Sequence, residues 1–145
     1  MNKLNRKLQT RIKSHIKKGE NFFDDQDYDR ALELFMTAYD LLPAPKDSWD
    51  EGIQLLAGIG DVLFMQGNAQ EAYEYFSEAQ KYPGGVENPF IWLRLGQCLY
   101  DMRGRKEAIL DALMSAYLLD GFEIFSDEDS KYLEFLKKHV RLYEG

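Results

Sequence analysis

A short helical signature returns three times along the chain with a glycine in the same place: His15-x-x-Lys18-Gly19-x-x-Phe22, Leu56-x-x-Ile59-Gly60-x-x-Leu63 and Trp92-x-x-Leu95-Gly96-x-x-Leu99. Twelve residues after each of the first two glycines comes an alanine, then an aromatic four later and a second alanine three after that: Ala31, Phe35, Ala38 and Ala72, Phe76, Ala79. Recurrence at a fixed offset constrains the fold more than composition does. A helical pair of this size cannot bury its own apolar face and has to stack on a neighbour.

Repeat one carries Gly19, Phe22, Tyr28, Ala31, Phe35, Ala38 and Pro43; repeat two carries Gly60, Gly67, Ala72, Phe76 and Ala79; repeat three carries Trp92, Leu95 and Gly96. In these residues the chain resembles the tetratricopeptide repeat family, whose pattern is Trp, then Leu-Gly, an aromatic, and then Ala, Phe and Pro. The second helix of repeat three reads as Ala108, Ala112, Ser115 or, with one residue inserted in the turn, as Ile109, Leu113, Ala116; the inserted register is favoured because Ala116 to Asp120 then echoes Ala38 to Leu42. The resemblance implies an all-α chain, a right-handed superhelix of three helix-turn-helix repeats at about 12–45, 53–86 and 89–121. A basic helical extension over 1–11 and a capping helix over about 127–143 complete a single domain over 1–145.

The spacing has a packing reason. Gly and Ala at crossing points let two helices approach closely, while large residues three or four positions away fill the grooves beside them. Bulk at Ala31 or Ala72 should therefore be poorly tolerated.

Punctuation divides the chain. Asp24-Asp25-Gln26-Asp27 breaks the first helix and offers acidic caps to the next, expected from about Tyr28 to Leu42 and closed by Pro43-Ala44-Pro45. Ser48 with Glu51 reads as a capping box for a helix starting at Trp49. The 41 residues from Gly19 to Gly60 exceed the usual 34-residue repeat, so that helix is expected to be extended, with Trp49 either a plug over the first helix pair or an exposed recognition aromatic. Asn88-Pro89 opens repeat three and Gly104 marks its internal turn. Ser126 with Asp129 reads as another capping box, before a helix whose apolar face is Tyr132, Leu133, Leu136, Val140 and Tyr143. That last helix either caps the stack or folds back into its groove.

Charge is distributed unevenly. Seven of the 18 basic residues lie between Met1 and Lys18 with no acid among them, leaving 11 basic against 25 acidic residues in the remainder. Leu4, Leu8, Ile12 and Ile16 form one apolar stripe on this basic segment. It reads as an extension of the first repeat helix against the acidic body, as a partner-binding arm, or as a transit peptide or membrane-surface helix; it could also pair two copies into a homodimer.

Several functional classes lack their residues. Two distant histidines and one cysteine, Cys98, give neither metal spacing nor an internal disulfide, and Cys98 on an apolar helix reads as a small buried residue. There is no phosphate loop and no nucleophile-base pair, and the acidic pairs fall in caps, so neither catalysis nor a cofactor is expected. A net −14 beyond Lys18 disfavours nucleic acid. No run approaches the roughly 18 apolar residues of a membrane span, and no secretory h-region appears, which makes a cytoplasmic location the expectation.

The resemblance implies a concave face lined by the first helix of each repeat: Ile16, Glu20 and Phe23; Ala57, Asp61 and Phe64; Leu93, Gln97 and Tyr100. Acid and amide, with no asparagine, argue against a clamp for a partner's terminal carboxylate. An extended or helical protein segment, apolar and neutral to basic, fits better. Such a module is expected to act as an adaptor or as a holder of unfolded clients, in resemblance to small bacterial secretion chaperones with three such repeats. An immunity-type inhibitor masking a basic toxin surface and a self-assembling scaffold are the alternatives. On this reading Asp61→Lys with Phe64→Ala should abolish capture without unfolding the chain.

Overall fold

A computed structural model describes residues 4–142. Among these residues seven α-helices follow one another: α1 (Arg6–Asp24), α2 (Tyr28–Leu41), α3 (Asp50–Met65), α4 (Ala69–Gln80), α5 (Pro89–Asp101), α6 (Lys106–Asp120) and α7 (Ser130–His139), with 3-10 turns at Lys46–Ser48 and Gly121–Phe125. The described residues contain no strand. α1 packs on α2, α3 on α4 and α5 on α6, while α2–α3 and α4–α5 contacts join the three hairpins into a stack.

Each hairpin closes at its glycine. A Cβ at Gly19 would lie 2.5 Å from the Phe35 ring, at Gly60 2.8 Å from Phe76, and at Gly96 2.6 Å from Leu113. Leu113 thus takes the place of the two phenylalanines, one position later than in the first two repeats. The turn between α5 and α6 spans residues 102–105, one residue more than 25–27 and 66–68, and the inserted register follows from it. Ala31, Ala38, Ala72, Ala79 and Ala116 are fully buried at the crossings.

The helix starts show where local chemistry departs from the expected pattern. Asp27, Asn68 and Asn88 cap α2, α4 and α5 through their side chains, as does Asn5 for α1. Ser48 does not cap α3: it lies in a 3-10 turn, and α3 starts at Asp50 with Trp49 as a cap residue whose side chain makes no capping bond. α3 still begins a turn earlier relative to its glycine than α5 does. Trp49 packs half-buried against the main core and donates its indole N–H to the Pro43 carbonyl at 2.8 Å, a plug rather than a free aromatic. Likewise, Asp129 rather than Ser126 caps α7; the Ser126 hydroxyl donates to the Glu123 carbonyl.

α7 is shorter than expected, ending at His139 with Val140 extended; Tyr143 lies outside the described residues. Tyr132 and Leu136 are buried, and α7 packs on α6 and on the turn at Gly121–Phe125. The helix packs on the third hairpin as a cap does, and through Tyr132 and Phe135 against Tyr100 it also lies over part of the face expected to be concave.

Of the basic segment and its expected helical extension over 1–11, residues 1–3 lie outside the described residues, Leu4 and Asn5 precede the helix, and α1 carries the rest from Arg6. Its stripe turns inward: Ile12 and Ile16 are buried, and Leu4 and Leu8 pack on the core. A membrane-surface role for that stripe is thereby lost, since its apolar area is already spent on the body. The expected ionic contact with the acidic body is not made either; among the described residues none of the α1 lysines and arginines forms an ion pair.

Cys98 is fully buried on α5, and burial, with Asp101 adding to it, pushes its thiol up to about 12. At pH 8 the thiolate fraction falls roughly a thousandfold relative to a free cysteine. Iodoacetamide should leave Cys98 unmodified in the folded chain and alkylate it fully in urea, as read by mass spectrometry; equal rates in both states would contradict this burial.

Candidate functional site: a concave hollow and a buried ionic network

The first helices of repeats one and two hold a hollow of about 280 Å³ between them. Ile16, Phe23, Ala57 and Phe35 supply apolar walls, Gly58 leaves room in the wall by having no side chain, and Phe90 from α5 closes one end. Glu20, Asp24 and Asp61 stand around this apolar surface. A second hollow, sharing Ile16, Glu20, Asp24 and Gln54, runs on along α1 past Lys13 and Lys17. Five of the nine expected groove residues, Ile16, Glu20, Phe23, Ala57 and Asp61, therefore meet at one place.

The third repeat behaves differently, and Arg94 is the reason. Its side chain lies 8% exposed between two rings, with the guanidinium carbon 4.8 Å from the Phe64 centroid and 4.7 Å from that of Phe90. Its Nε donates to Asp61 Oδ1 at 2.8 Å, and one terminal nitrogen donates to Gln97 Oε1 at 2.6 Å and to a carboxylate oxygen of Glu128. Gln97 Nε2 donates to the same Glu128 oxygen at 2.8 Å. A charge, two carboxylates and an amide from α3, α5 and the segment before α7 thus satisfy one another away from water.

Electrostatics follow the burial. Desolvation pushes the Asp61 carboxyl above the usual carboxylate range, only partly offset by Arg94 and reinforced by Glu128. For Arg94 desolvation works against the charged form, but Asp61 and Glu128 outweigh it and hold the proton more firmly.

These contacts place the remaining expected residues. Gln97 is 0% exposed and bonded within the network; Leu93 is buried in the cluster with Leu113, Phe125 and Leu136. Phe64 lies against Arg94, and Tyr100 packs edge-on against Tyr132 and Phe135 of α7. None of these four lines the open hollow. Asp61→Lys with Phe64→Ala is accordingly unfit as a surface test: it would set a lysine against Arg94 and remove the ring beneath it.

Sequence reasoning missed Lys13, Gln54 and Phe90 in the hollow, and Arg94 and Glu128 in the network. The first three were within reach, because each stands three residues before an expected groove residue, Ile16, Ala57 or Leu93, and so shares its helix face. Arg94 carried a fainter signal as the sole charged residue of α5 before its final Asp101.

Among the described residues there is no cluster of three side chains able to hold a metal ion, and no helix is long and apolar enough to cross a membrane. No family model matches the chain, and no curated protein matches it in sequence. Among solved structures it is similar to PcrH from Pseudomonas aeruginosa, with a TM-score of 0.69 at 14% identity over 94% of each chain. At that identity the likeness speaks for architecture: the chain has an all-α, tetratricopeptide-like helical-repeat fold.

Proposed function

We propose that this chain is a non-catalytic protein-binding module that takes an extended or helical partner segment into the hollow between α1, α3 and the start of α5, as an adaptor or secretion-type chaperone. The observation that carries this reading is an open, apolar-walled hollow whose rim carboxylates Glu20 and Asp24 have no ion partner among the described residues. Such a surface gains by burying an apolar side chain and by pairing its rim charges. The binding residues on this reading are Ile16, Glu20, Phe23 and Ala57, with Asp61 as a wall fixed by Arg94. Phe64 and Gln97 act only through Arg94, which holds Asp61, while Leu93 and Tyr100 belong to the packing of the third repeat against α6 and α7. A segment ordered on binding loses conformational entropy, so affinity on the order of micromolar, roughly −8 kcal/mol, is expected.

Ala57→Trp fills the hollow from a half-buried position and leaves the ionic network alone. Affinity capture from native lysate should retain one dominant protein on the wild-type chain and lose it on a folded Ala57→Trp bait. Undiminished capture by that bait would move the site elsewhere. The acidic backs of α2 and α4, with Glu33, Asp40, Glu71 and Glu74 exposed, are where an inhibitor of a basic toxin would bind; capture lost on Glu71→Lys/Glu74→Lys instead would favour that alternative.

A further inference from the structure

We propose that the hollow selects a charge-split segment, one with acidic residues on one side of its apolar anchor and basic residues on the other. The inference rests on the binding reading above and adds the chemistry of the ligand. Along α1 the residues facing the two joined hollows are, in order, Lys13, Ile16, Lys17, Glu20 and Asp24, with Phe23 beside them. Two cations are thus followed by two anions, with Ile16 between the cations and Phe23 between the anions. All four charged side chains are exposed, and none makes an ion pair with another described residue.

The order is not one that helix stability explains. A helix favours acid in its first turn and base in its last, yet α1 has no acid in the first and no base in the last. Asp24 also lies close to the start of α2, where acid is favourable, but Glu20 and the lysines have no such second role. Lys13, Lys17 and Glu20 lie between the terminal turns of α1, out of reach of that preference, and charges left there without partners suit a ligand that supplies them.

The neutral-to-basic ligand expected from Glu20 and Asp61 alone does not match this face. Asp61 is taken by Arg94, and Lys13 and Lys17 repel a uniformly basic segment. From Lys13 to Asp24 the helix runs roughly 16 Å, so a bound segment needs its opposite charges about that far apart. A uniform polyanion such as nucleic acid would meet Glu20, Asp24 and the acidic body, and it is disfavoured for the same reason that the all-basic peptide is.

The test uses fluorescein-labelled synthetic peptides of one length with the same central leucine pair. One is charge-split, with aspartates at one end and lysines at the other; one carries lysines at both ends; one carries aspartates at both ends. Fluorescence anisotropy with the full chain at low ionic strength should show the split peptide binding about tenfold tighter than either uniform one. Lys13→Glu/Lys17→Glu, its folding checked by circular dichroism, should shift the preference to the all-lysine peptide. An all-lysine peptide that binds the wild-type chain as tightly as the split one overturns the inference. If all three bind alike and Ala57→Trp abolishes it, the hollow is a binding site without charge selection. Binding absent for all three, or indifferent to Ala57→Trp, overturns the binding reading as well.

Discussion

Arg94→Ala should destabilise the fold by about 3–5 kcal/mol, since it leaves the Asp61 and Glu128 carboxylates beside each other without the cation that pairs them. The loss has two further parts: Gln97 loses a donor to its amide oxygen while remaining buried, and Phe64 and Phe90 lose the guanidinium between their rings. Urea denaturation followed by far-ultraviolet circular dichroism measures the loss, and a thermal melt read by the same signal should show a fall in melting temperature on the order of 10 °C. A loss below about 1 kcal/mol would mean that the network is worth no more than a surface ion pair. Removing the charges together is a different experiment. Arg94→Met with Asp61→Leu, Glu128→Leu and Gln97→Leu replaces the ions and the amide they bond by apolar groups of similar size, and much of the lost stability should return because neither a charge nor the buried amide is left unpaired. The network's value would then lie in where it holds the segment before α7, rather than in net free energy.

The contrast between what the sequence reveals and what it hides follows from the range of the interactions. Gly19, Gly60 and Gly96 could be matched with Phe35, Phe76 and Leu113 because a helix crossing closes within one hairpin, where the turn length fixes the offset. The extra residue in the α5–α6 turn shifted that offset by one and was visible as an echo of residues 38–42. The groove was legible at Ile16, Glu20, Phe23, Ala57 and Asp61 because helical period assigns a face. At Gln97 and Tyr100 the same period gave the same face, but Glu128 and α7 cover it. Arg94 and Glu128 are 34 residues apart, and no local pattern links them. The capping boxes at Ser48 and Ser126 failed for a related reason: each serine was drawn into a 3-10 turn or its close, one or more residues before the helix that it was expected to start. A hydroxyl with a carbonyl close at hand, as Ser126 has in Glu123, serves the turn instead of the helix.

Phe76→Ala should cost about 3–5 kcal/mol, a second change of the same size by a different route. The Phe76 ring is fully buried, packs over the Gly60 backbone and meets Phe90 edge-on at 6.1 Å between centroids, so its loss opens a cavity at the middle of the stack, where α3, α4 and α5 meet. Gly60→Val should cost less, about 1–3 kcal/mol, because its new side chain overpacks a gap already filled by that ring. Combined, the two changes act on one space: the branched side chain grows into the volume that the ring vacates. The double variant should therefore be more stable than the sum of the single losses predicts, by about 0.5–3 kcal/mol in the coupling term of a double-mutant cycle. Additive losses would show that the backbone at Gly60, rather than the ring beside it, sets the tolerance of the crossing. The corresponding pair in the third hairpin, Gly96 with Leu113, has a backbone nitrogen 3.2 Å from the glycine's would-be Cβ in addition to the leucine side chain. Truncating Leu113 cannot move that nitrogen, so rescue there should be weaker than at Gly60. The comparison measures how closely each hairpin's two backbones approach, which is the property that the recurring glycine encodes.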